Sequence, residues 1–392
     1  MRNGAVIYLN RFSENINSVK ERVGQNRRIC VPVKADAYGH GALQISKTAL
    51  EAGAYCLGVA SVSEGIELRK GGINAPILLF SQPHPSEIPF IIKAKLISFV
   101  SDADFASELN KQAAAGNTKL PVHLKIDTGM GRIGCPLNEV LALAKLIKES
   151  PALELTGTAT HLAVSDSPDR RDIDFTNVQL LRFNKAVNAI KKEGIDPGII
   201  HAANSGAVIL HPNAWFDMVR PGILLYGFKT IHEYEAPVDH LKKLSKLNPL
   251  IVKPVMELRG VVSLIKKLKT GDSVSYGRTW TAKENTFIGI ISAGYADGLP
   301  RLASNKWQII IKGRAFPIVG RVSMDQCCVN LGPKTDVKRW DEAIIFGDDV
   351  YPKQADEQVI LQNAAELASM VRTIPYEITS NVNKRVPRIY KK

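Results

Sequence analysis

The sequence predicts an α/β fold in two parts: an N-terminal (β/α)8 barrel over residues 1–248 and a mostly antiparallel β domain over residues 249–392. Eight short runs rich in Val, Ile and Leu alternate with longer stretches of helical character through the first 225 residues. Such alternation over this length is typical of a TIM-type barrel. After Tyr226-Gly227 the pattern changes to strands separated by turns, which predicts a second domain of another class.

The barrel strands are predicted from apolar runs of the length that buried parallel strands require. In chain order they are Ile29–Val33, Cys56–Ser61, Pro76–Ser81, Leu96–Ser101, Pro121–Asp127, Leu153–His161, Gly198–Asn204 and Met218–Leu225. Two connecting segments, Asn138–Glu149 and Asn177–Glu193, carry apolar residues at helical spacing, and Gly194 is a favourable helix stop.

The second part begins after a polar and basic connector, His232–Asn248. One helix is predicted there, Ala355–Val371. Alternating patterns and Gly-containing turns predict the strands Ile251–Val262, Ser273–Tyr276, Thr286–Ser292, Trp307–Ile311, Phe316–Asn330 and Glu342–Phe346.

Composition excludes several classes of protein. The chain has 392 residues, of which 45% are hydrophobic and 23% charged, as in ordinary globular proteins. The net charge of +13 comes from scattered Lys and Arg without an aromatic-basic pattern, so we expect anionic small ligands rather than nucleic acid. No apolar run would span a membrane or form a signal peptide, which predicts a cytoplasmic protein without a membrane partner. Five cysteines without a CxxC pair predict neither a disulfide framework nor a metal site.

Barrel enzymes place their chemistry at the C-terminal ends of the strands, so polar residues there are candidates. The first predicted strand leads into Lys34, and the sixth ends at His161. The fifth and seventh end in Lys125–Arg132 and Asn204-Ser205, and the eighth contains Arg220. Each has an ordinary explanation by itself, such as a surface lysine, a structural histidine or a helix cap. Their coincidence at five strand ends favours a functional site.

This arrangement suggests a binding site for a phosphate group together with a lysine amine that could react with the same ligand. The loops after strands seven and eight commonly bind phosphate in such barrels, and Ser205 with the backbone near Gly222 and Ile223 offers donors. Lys34 offers an amine at the first strand. A phosphorylated aldehyde fits both, and pyridoxal phosphate joins proteins through a Schiff base with lysine.

The chain resembles the alanine racemases, and the similarity extends from near the first residue to the last. The segment Val31–Gly41 looks like their cofactor-attachment motif. Further matches are Lys125–Arg132, Thr160-His161, His201–Ser205, Arg220–Gly227, Ser275–Gly277, Gly294–Arg301, Met324-Asp325 and Arg385–Tyr390.

The resemblance implies an isomerase that interconverts L-alanine and D-alanine and supplies D-alanine for peptidoglycan. Lys34 would bind the cofactor and act as base on one face of the substrate, while Tyr276 would act on the other face from the partner subunit of a homodimer. Racemisation needs one base on each side of a flat carbanionic intermediate, which explains the pair.

The resemblance also implies supporting residues. Arg220 would face the pyridine nitrogen and leave it uncharged, because a guanidinium does not give up its proton. Lys125 matches a position that is carbamylated in many relatives. The cofactor set is Lys34, Tyr38, Arg132, His161, Asn204, Ser205, Arg220, Gly222, Ile223 and Tyr376. The substrate carboxylate would meet Arg132 and Met324, and the supporting or entrance residues are Lys125, Asp166, Tyr295, Arg301, Arg321, Asp325 and Ile374.

Two departures and three alternatives accompany this interpretation. Asp36 and Pro375 stand where Asn is common, so we expect changes in rate and pocket shape rather than in reaction class. A broad-specificity racemase acting on serine or lysine is the nearest alternative, although such relatives are often exported. A decarboxylase of basic amino acids would place a carboxylate where Arg220 stands, and a non-catalytic cofactor-binding protein would not need Tyr276.

Overall fold

The computed structural model describes residues 2–230, 247–347 and 362–392. The chain divides into two compact units. The barrel unit contains Phe12–Ala35 and Ala42–Val252, and the sheet unit contains Met1–Arg11, Asp36–Gly41 and Lys253–Lys392. Residues 1–11 and 36–41, which lie within the predicted barrel domain of residues 1–248, group with the sheet unit. The reason for residues 1–11 is the first strand, β1 (Asn3–Tyr8), which pairs with two strands of the sheet unit rather than with the barrel.

The barrel unit contains a closed barrel of eight parallel strands, which confirms the predicted fold class. Each strand pairs with the next along the chain, and the last pairs with the first to close the ring. The strands are β2 (Arg28–Pro32), β3 (Cys56–Val59), β4 (Ile77–Leu79), β5 (Ile97–Val100), β6 (Leu120–Lys125), β7 (Leu153–Ala159), β8 (Ile199–His201) and β9 (Met218–Val219).

Helices alternate with these strands. They are α1 (Leu9–Val23), α2 (Lys34–Tyr38), α3 (Ala42–Glu51), α4 (Val62–Lys70), α5 (Ile88–Ala94), α6 (Ala103–Ala115), α7 (Val140–Glu149), α8 (Arg170–Lys192) and α9 (Ser205–Leu210). The helix predicted from Asn177 begins earlier, at Arg170, because Asp169 caps it by accepting a hydrogen bond from the Arg171 amide.

The barrel interior is filled by side chains from six of the eight strands, so it is a packed core and not a channel. The residues of this cluster are Cys30, Cys56, Leu78, Phe99, Ala159 and Met218.

The sheet unit is mainly antiparallel, as predicted. Its strands after β1 are β10 (Met256–Leu268), β11 (Ser273–Val274), β12 (Trp280–Thr281), β13 (Thr286–Ile291), β14 (Gln308–Ile311), β15 (Arg314–Pro317), β16 (Cys327–Gly332), β17 (Glu342–Phe346) and β18 (Arg388–Lys391). The main path runs β15-β14-β17-β10-β1-β18, while β13 joins β10 to β16 and β11 pairs with β12. Two helices, α10 (Ala364–Val371) and α11 (Pro375–Ser380), follow β17 in the described part of the chain.

Three predicted elements of this unit differ from the structure. The single strand expected over Phe316–Asn330 is two strands, because Gly320 takes a φ of 75° and the chain turns again at Ser323, whose amide bonds to Gln326. The strand expected to start at Ile251 starts at Met256. Within the described ranges the predicted helix from Ala355 is present only from Ala364, where Asn363 caps it; residues 355–361 and most of the connector lie outside those ranges. In the described residues, no helix is both long and apolar enough to cross a membrane.

Candidate active site

Lys34 follows β2 at the C-terminal end of the barrel strands. Burial lowers the pKa of its amine, and the nearby Arg132 guanidinium lowers it further, while Glu64 acts in the opposite direction. Glu64 also holds the adjoining backbone, since its carboxylate accepts hydrogen bonds from the amides of Ala35 and Ala60, each at 2.7 Å. A lowered pKa favours the use of this amine as a nucleophile and base.

The residues after Lys34 form a left-handed turn. Ala35, Asp36, Ala37 and Tyr38 have φ values between 51° and 53°, although none is glycine. This conformation costs roughly 1–2 kcal/mol per residue, so surrounding contacts must hold it. Tyr38 ends the turn with its ring packed edge-on against Tyr376, at a centroid distance of 5.5 Å.

Arg220 is a buried cation of the barrel unit that contacts two histidines, His201 and His161. Its guanidinium donates to the carbonyl oxygens of Thr160 at 2.9 Å and Ala202 at 3.2 Å. It also donates to His201 Nδ1 at 2.7 Å, and His161 Nδ1 lies 3.4 Å from its Nη2. Burial lowers the pKa of Arg220 to about 10, so the guanidinium stays charged near neutral pH.

Two histidines extend this contact into the barrel. Arginine only donates hydrogen bonds, so His201 Nδ1 accepts and its Nε2 carries the proton. That proton points to His123 Nδ1 at 2.9 Å. Burial lowers the pKa of His123 to about 3 and holds that of His201 well below its usual range, so both rings stay neutral. Gly157 leaves room for His123, because a Cβ there would lie 2.7 Å from the ring.

Lys125 and Arg132 lie at the end of β6 and in the following loop. The Lys125 amine lies 5.1 Å from the centre of the Phe99 ring, and burial holds its pKa well below the usual range, with Arg220 and Arg132 adding to the effect. Asp127 shapes the loop by accepting hydrogen bonds from three successive amides, those of residues 129, 130 and 131. Arg132 directly follows Gly131, the last of these three residues.

His161 is neutral for the same reason as its neighbours. Burial holds its pKa well below the usual range, and the charges of Lys125, Arg220, Arg132 and Lys34 add to the effect. Arg220 and not His161 is therefore the buried cation that acts on neighbouring groups. Positive charges that depress one another's proton affinity create a potential that favours an anionic ligand.

Ser205 provides a second polar feature in the barrel unit. Its hydroxyl accepts hydrogen bonds from the amides of Gly222 at 2.8 Å and Leu224 at 3.3 Å, so its own proton remains for donation. Asn204 caps α9 through the Ala207 amide and accepts from Ser165. Asp166 packs behind this turn, where a Cβ on Gly206 would lie 2.7 Å from its Cα.

The sheet unit presents Tyr276 in a short turn of special geometry. Ser275 has a φ of 62° and Gly277 one of 72°, and the Tyr276 side chain is 70% exposed. Ser275 donates to the Arg321 carbonyl at 2.6 Å, and a Cβ on Gly277 would lie 3.1 Å from the Arg321 guanidinium carbon. A cavity of about 390 Å³ borders Tyr276 and Ser323.

Met324 is held close to Tyr295 in the same unit. The Tyr295 amide donates to the Ser323 carbonyl and the Ala296 amide to the Met324 carbonyl, both at 3.0 Å. Beside them, Arg385 donates to the buried Asp297 at 2.9 Å and to Asp325 at 2.8 Å. The Met324-Asp325 segment is therefore fixed by hydrogen bonds on both of its sides.

The remaining predicted residues of the sheet unit lie on short helical turns. Arg301 opens the 3-10 helix Arg301–Ala303, and Ile374 is the cap residue of α11. Pro375 occupies the first turn of α11, where its fixed φ favours helix initiation, and Tyr376 follows directly. The described residues contain no group of three His, Cys, Asp or Glu side chains that could hold a metal ion.

Comparison with known proteins identifies the family. Residues 7–230 match the alanine racemase N-terminal domain and residues 255–390 match the alanine racemase C-terminal domain. The chain belongs to the alanine racemase family. An alanine racemase of Treponema denticola is 47% identical over 388 residues, which are 98% of this chain and 97% of that protein.

Solved alanine racemases share the fold. One from Clostridium difficile 630 has a TM-score of 0.87 at 32% identity and covers 100% of this chain and 96% of that chain. One from Bartonella henselae with covalently bound pyridoxal phosphate has a TM-score of 0.83 at 26% identity and covers 100% of both chains.

The site predicted from the sequence did not include Glu64, His123 or His201. The signal for Glu64 was the capping-box spacing Ser61-Val-Ser-Glu64, which the structure shows at the start of α4. His201 lay within a matched motif, but its bond to Arg220 depends on the pairing of β8 with β9.

Proposed function

We propose that this protein is a pyridoxal-phosphate-dependent alanine racemase that interconverts L-alanine and D-alanine, with Lys34 and Tyr276 as its two bases. The observation that carries the proposal is that Lys34 stands at the C-terminal end of the barrel strands, where burial and the charge of Arg132 lower the pKa of its amine. Membership in the alanine racemase family supports the same reaction.

Pyridoxal phosphate fits the chemistry of the candidate residues. Its phosphate and phenolic oxygens are anionic and suit a site where Arg132 and Arg220 raise the local positive potential. Lys34, whose amine pKa is lowered by burial, would hold its aldehyde. The groups that would hold the phosphate are Ser205, with the backbone at Gly222 and Ile223, and the tyrosines Tyr38 and Tyr376, with Asn204 supporting Ser205 through the cap of α9.

When bound, pyridoxal phosphate withdraws the electron pair that remains after the α-proton of alanine is removed. The protein supplies the proton transfers. Lys34 Nζ takes or returns the proton on one face of the α-carbon, and the Tyr276 hydroxyl returns or takes it on the other face. Exchange between two faces inverts the configuration, whereas a single base would tend to return the proton to the face it came from.

Arg220 would face the pyridine nitrogen of the cofactor. The guanidinium keeps its protons near neutral pH, because its pKa of about 10 is still high. It would therefore donate a hydrogen bond without transferring a proton, and the ring nitrogen would stay uncharged. The weaker electron withdrawal that follows would limit side reactions such as transamination.

Arg132 and the Met324 amide would bind the substrate carboxylate, and Arg132 would also face the phenolic oxygen. The residues that we assign to the entrance or to its support are Asp166, Tyr295, Arg301, Arg321, Asp325 and Ile374. The hydrogen bonds that fix the segment after Ser323 support a positioning role for Met324 and Asp325. His161 would support Tyr276 through its contact with Arg220.

We further propose that Lys125 reacts with carbon dioxide to form a carbamate. Burial holds its pKa well below the usual range, which favours the uncharged amine that attacks carbon dioxide; the new N–C bond forms as the nitrogen releases one proton. The carbamate would be an anionic partner for Arg132. Intact-protein mass spectrometry under bicarbonate would detect the added mass, and Lys125→Ala would lack it.

The biological arrangement that we propose is a cytoplasmic homodimer that supplies D-alanine for peptidoglycan. Each subunit would place its Tyr276 in the active site of the other. The high exposure of Tyr276 in a single chain supports this, since a catalytic tyrosine works best when neighbouring groups exclude water.

The deciding experiment follows the circular dichroism of L-alanine incubated with the purified, cofactor-loaded protein. The signal should decay to zero as D-alanine accumulates. Lys34→Ala should abolish the decay, and Lys47→Ala, which removes an exposed lysine of α3, should leave it unchanged. Decay at a comparable rate with L-serine or L-lysine would indicate a broad-specificity racemase, and release of carbon dioxide from lysine would indicate a decarboxylase. Bound cofactor with no reaction on any of the three would refute an amino-acid racemase.

Attachment of the cofactor is tested separately by borohydride reduction. The wild-type protein should show a visible absorbance band and a reduced pyridoxyl group on Lys34 in peptide mapping. Lys34→Ala should lose both, and trapping on another lysine would overturn the assignment.

A further inference from the structure

The left-handed turn after Lys34 continues into a tightly held segment of the sheet unit. Gly39 and Gly41 follow it with φ values of 84° and 94°. A methyl group on Gly39 would collide with the carbonyl oxygen of Thr379, and one on Gly41 would collide with the Tyr390 hydroxyl. The C-terminal part of the chain therefore packs directly against the backbone that follows Tyr38.

Arg388 makes the polar contacts of this packing. Its Nε donates to the Gly39 carbonyl at 2.9 Å, and its Nη2 donates to Val382 at 2.6 Å. Its Nη1 donates to the carbonyls of Asn383 at 2.6 Å and Val386 at 2.8 Å. One guanidinium thus joins the end of the left-handed turn to three carbonyls of the segment just after α11.

These contacts matter because local preferences oppose the turn. Four consecutive residues with side chains adopt a conformation that is favourable for glycine, and two backbone hydrogen bonds hold its end: His40 to Ala37 at 3.1 Å and Gly41 to Asp36 at 2.9 Å. Asp36 also interacts electrostatically with Arg388. Without the guanidinium, the Gly39 carbonyl would lose its side-chain donor.

We propose that Arg388 is a positioning residue for cofactor binding. By fixing the Gly39 carbonyl it holds the left-handed turn, and the turn places Tyr38 against Tyr376. This inference rests on the proposed function, in which both tyrosines hold the cofactor phosphate. Arg388 acts through the turn and makes its own bonds to backbone carbonyls.

The proposal predicts a loss that depends on the phosphate. If removal of the guanidinium leaves the turn populated in roughly 1–10% of molecules, affinity for pyridoxal phosphate falls about 10- to 100-fold. Affinity for pyridoxal, which lacks the phosphate, should change less than about twofold, since Tyr38 gives it no phosphate contact. A general loss of folding would weaken both ligands alike.

The experiment compares Arg388→Ala and Arg388→Lys with Lys384→Ala, which removes an exposed cation four residues earlier. Equilibrium binding of pyridoxal phosphate and pyridoxal to full-length protein freed of cofactor gives the affinity ratio. Hydrogen–deuterium exchange of peptides covering residues 34–41 reports the turn without any ligand. Arg388→Ala should speed exchange in residues 34–41 and lower the ratio of the affinity for pyridoxal phosphate to the affinity for pyridoxal. Arg388→Lys should give intermediate values, because one ammonium cannot reach four carbonyls. Lys384→Ala should match the wild type.

Unchanged exchange and an unchanged affinity ratio in Arg388→Ala would overturn the proposal. If that variant does not fold, Arg388→Lys and the pair Tyr38→Phe with Tyr38→Phe/Arg388→Lys decide it. Arg388→Lys should lower the affinity for pyridoxal phosphate in the wild-type background and should not lower it further in the Tyr38→Phe background. Equal losses of affinity in both backgrounds would refute the positioning role of Arg388. A wild-type protein that binds no pyridoxal phosphate would refute the proposed function. The hydrogen–deuterium exchange data would still test whether Arg388 holds the left-handed turn.

Discussion

Replacing Ser205 with alanine should destabilise the protein even in the absence of cofactor. The Ser205 side chain is 3% exposed, and its hydroxyl accepts hydrogen bonds from the amides of Gly222 and Leu224. A methyl group accepts neither, and each buried amide left without an acceptor costs about 1–3 kcal/mol. The two together lower the free energy of unfolding by roughly 2–6 kcal/mol, a large share of the typical 5–15 kcal/mol of a folded domain.

Urea titration of the cofactor-free protein, followed by far-ultraviolet circular dichroism, measures this change. Ser107→Ala is a matched control, because that hydroxyl donates only to the Ala103 carbonyl on an exposed helix and its loss should cost less than about 0.5 kcal/mol. Ser205→Cys should recover part of the loss, since a thiol is a weak acceptor of similar size. If Ser205→Ala unfolds at the wild-type urea midpoint with the same slope, the two amides do not depend on this hydroxyl.

Three further outcomes are expected. Arg220→Glu should slow racemisation and increase pyruvate formation from alanine, because a carboxyl group would allow the cofactor ring nitrogen to carry a proton; normal racemisation without added pyruvate would contradict the role of Arg220. The free energy of unfolding should fall as pH drops below about 6.5. In the unfolded chain His123 binds a proton in this range, whereas in the folded protein its pKa of about 3 keeps it unprotonated. Urea titrations between about pH 7.5 and pH 5 should show a shallower pH slope for His123→Asn than for the wild type, and equal slopes would refute the assignment. Lys34→Ala and Tyr276→Phe proteins, each inactive, should regain activity in mixed dimers, because one site of each shared pair inherits both defects and the other is intact; verified mixed dimers that stay inactive would exclude shared sites.

The barrel could be predicted because its buried strands are short apolar runs, and all eight are present. Their ends were less predictable. The last strand was expected over Met218–Leu225, but it covers only Met218–Val219, although Ile223, Leu224 and Leu225 are fully buried. Those residues form turns packed inside the unit. Hydrophobicity therefore indicated burial there and did not indicate backbone conformation.

The candidate site was predictable to the extent that its residues stand at strand ends or in matched motifs. The left-handed turn was not, because Ala, Asp, Ala and Tyr have no local preference for positive φ. Its support comes from Arg388, which is 349 positions from Gly39 in the sequence. The bond between His123 and His201 likewise joins strands that are separated by a third one along the ring. Contacts of this kind depend on the finished fold.

The place of β1 in the sheet has a consequence for biosynthesis. β1 is synthesised before both of its partners, because its antiparallel partner begins at Met256 and its parallel partner at Arg388. Until those segments emerge, Ala5, Val6 and Ile7, which are buried in the finished protein, belong to a strand with two unpaired edges. Such edges promote aggregation in nascent chains. A polypeptide that stops before Arg388 would therefore keep one edge of β1 open, because the parallel partner of β1 is the strand Arg388–Lys391.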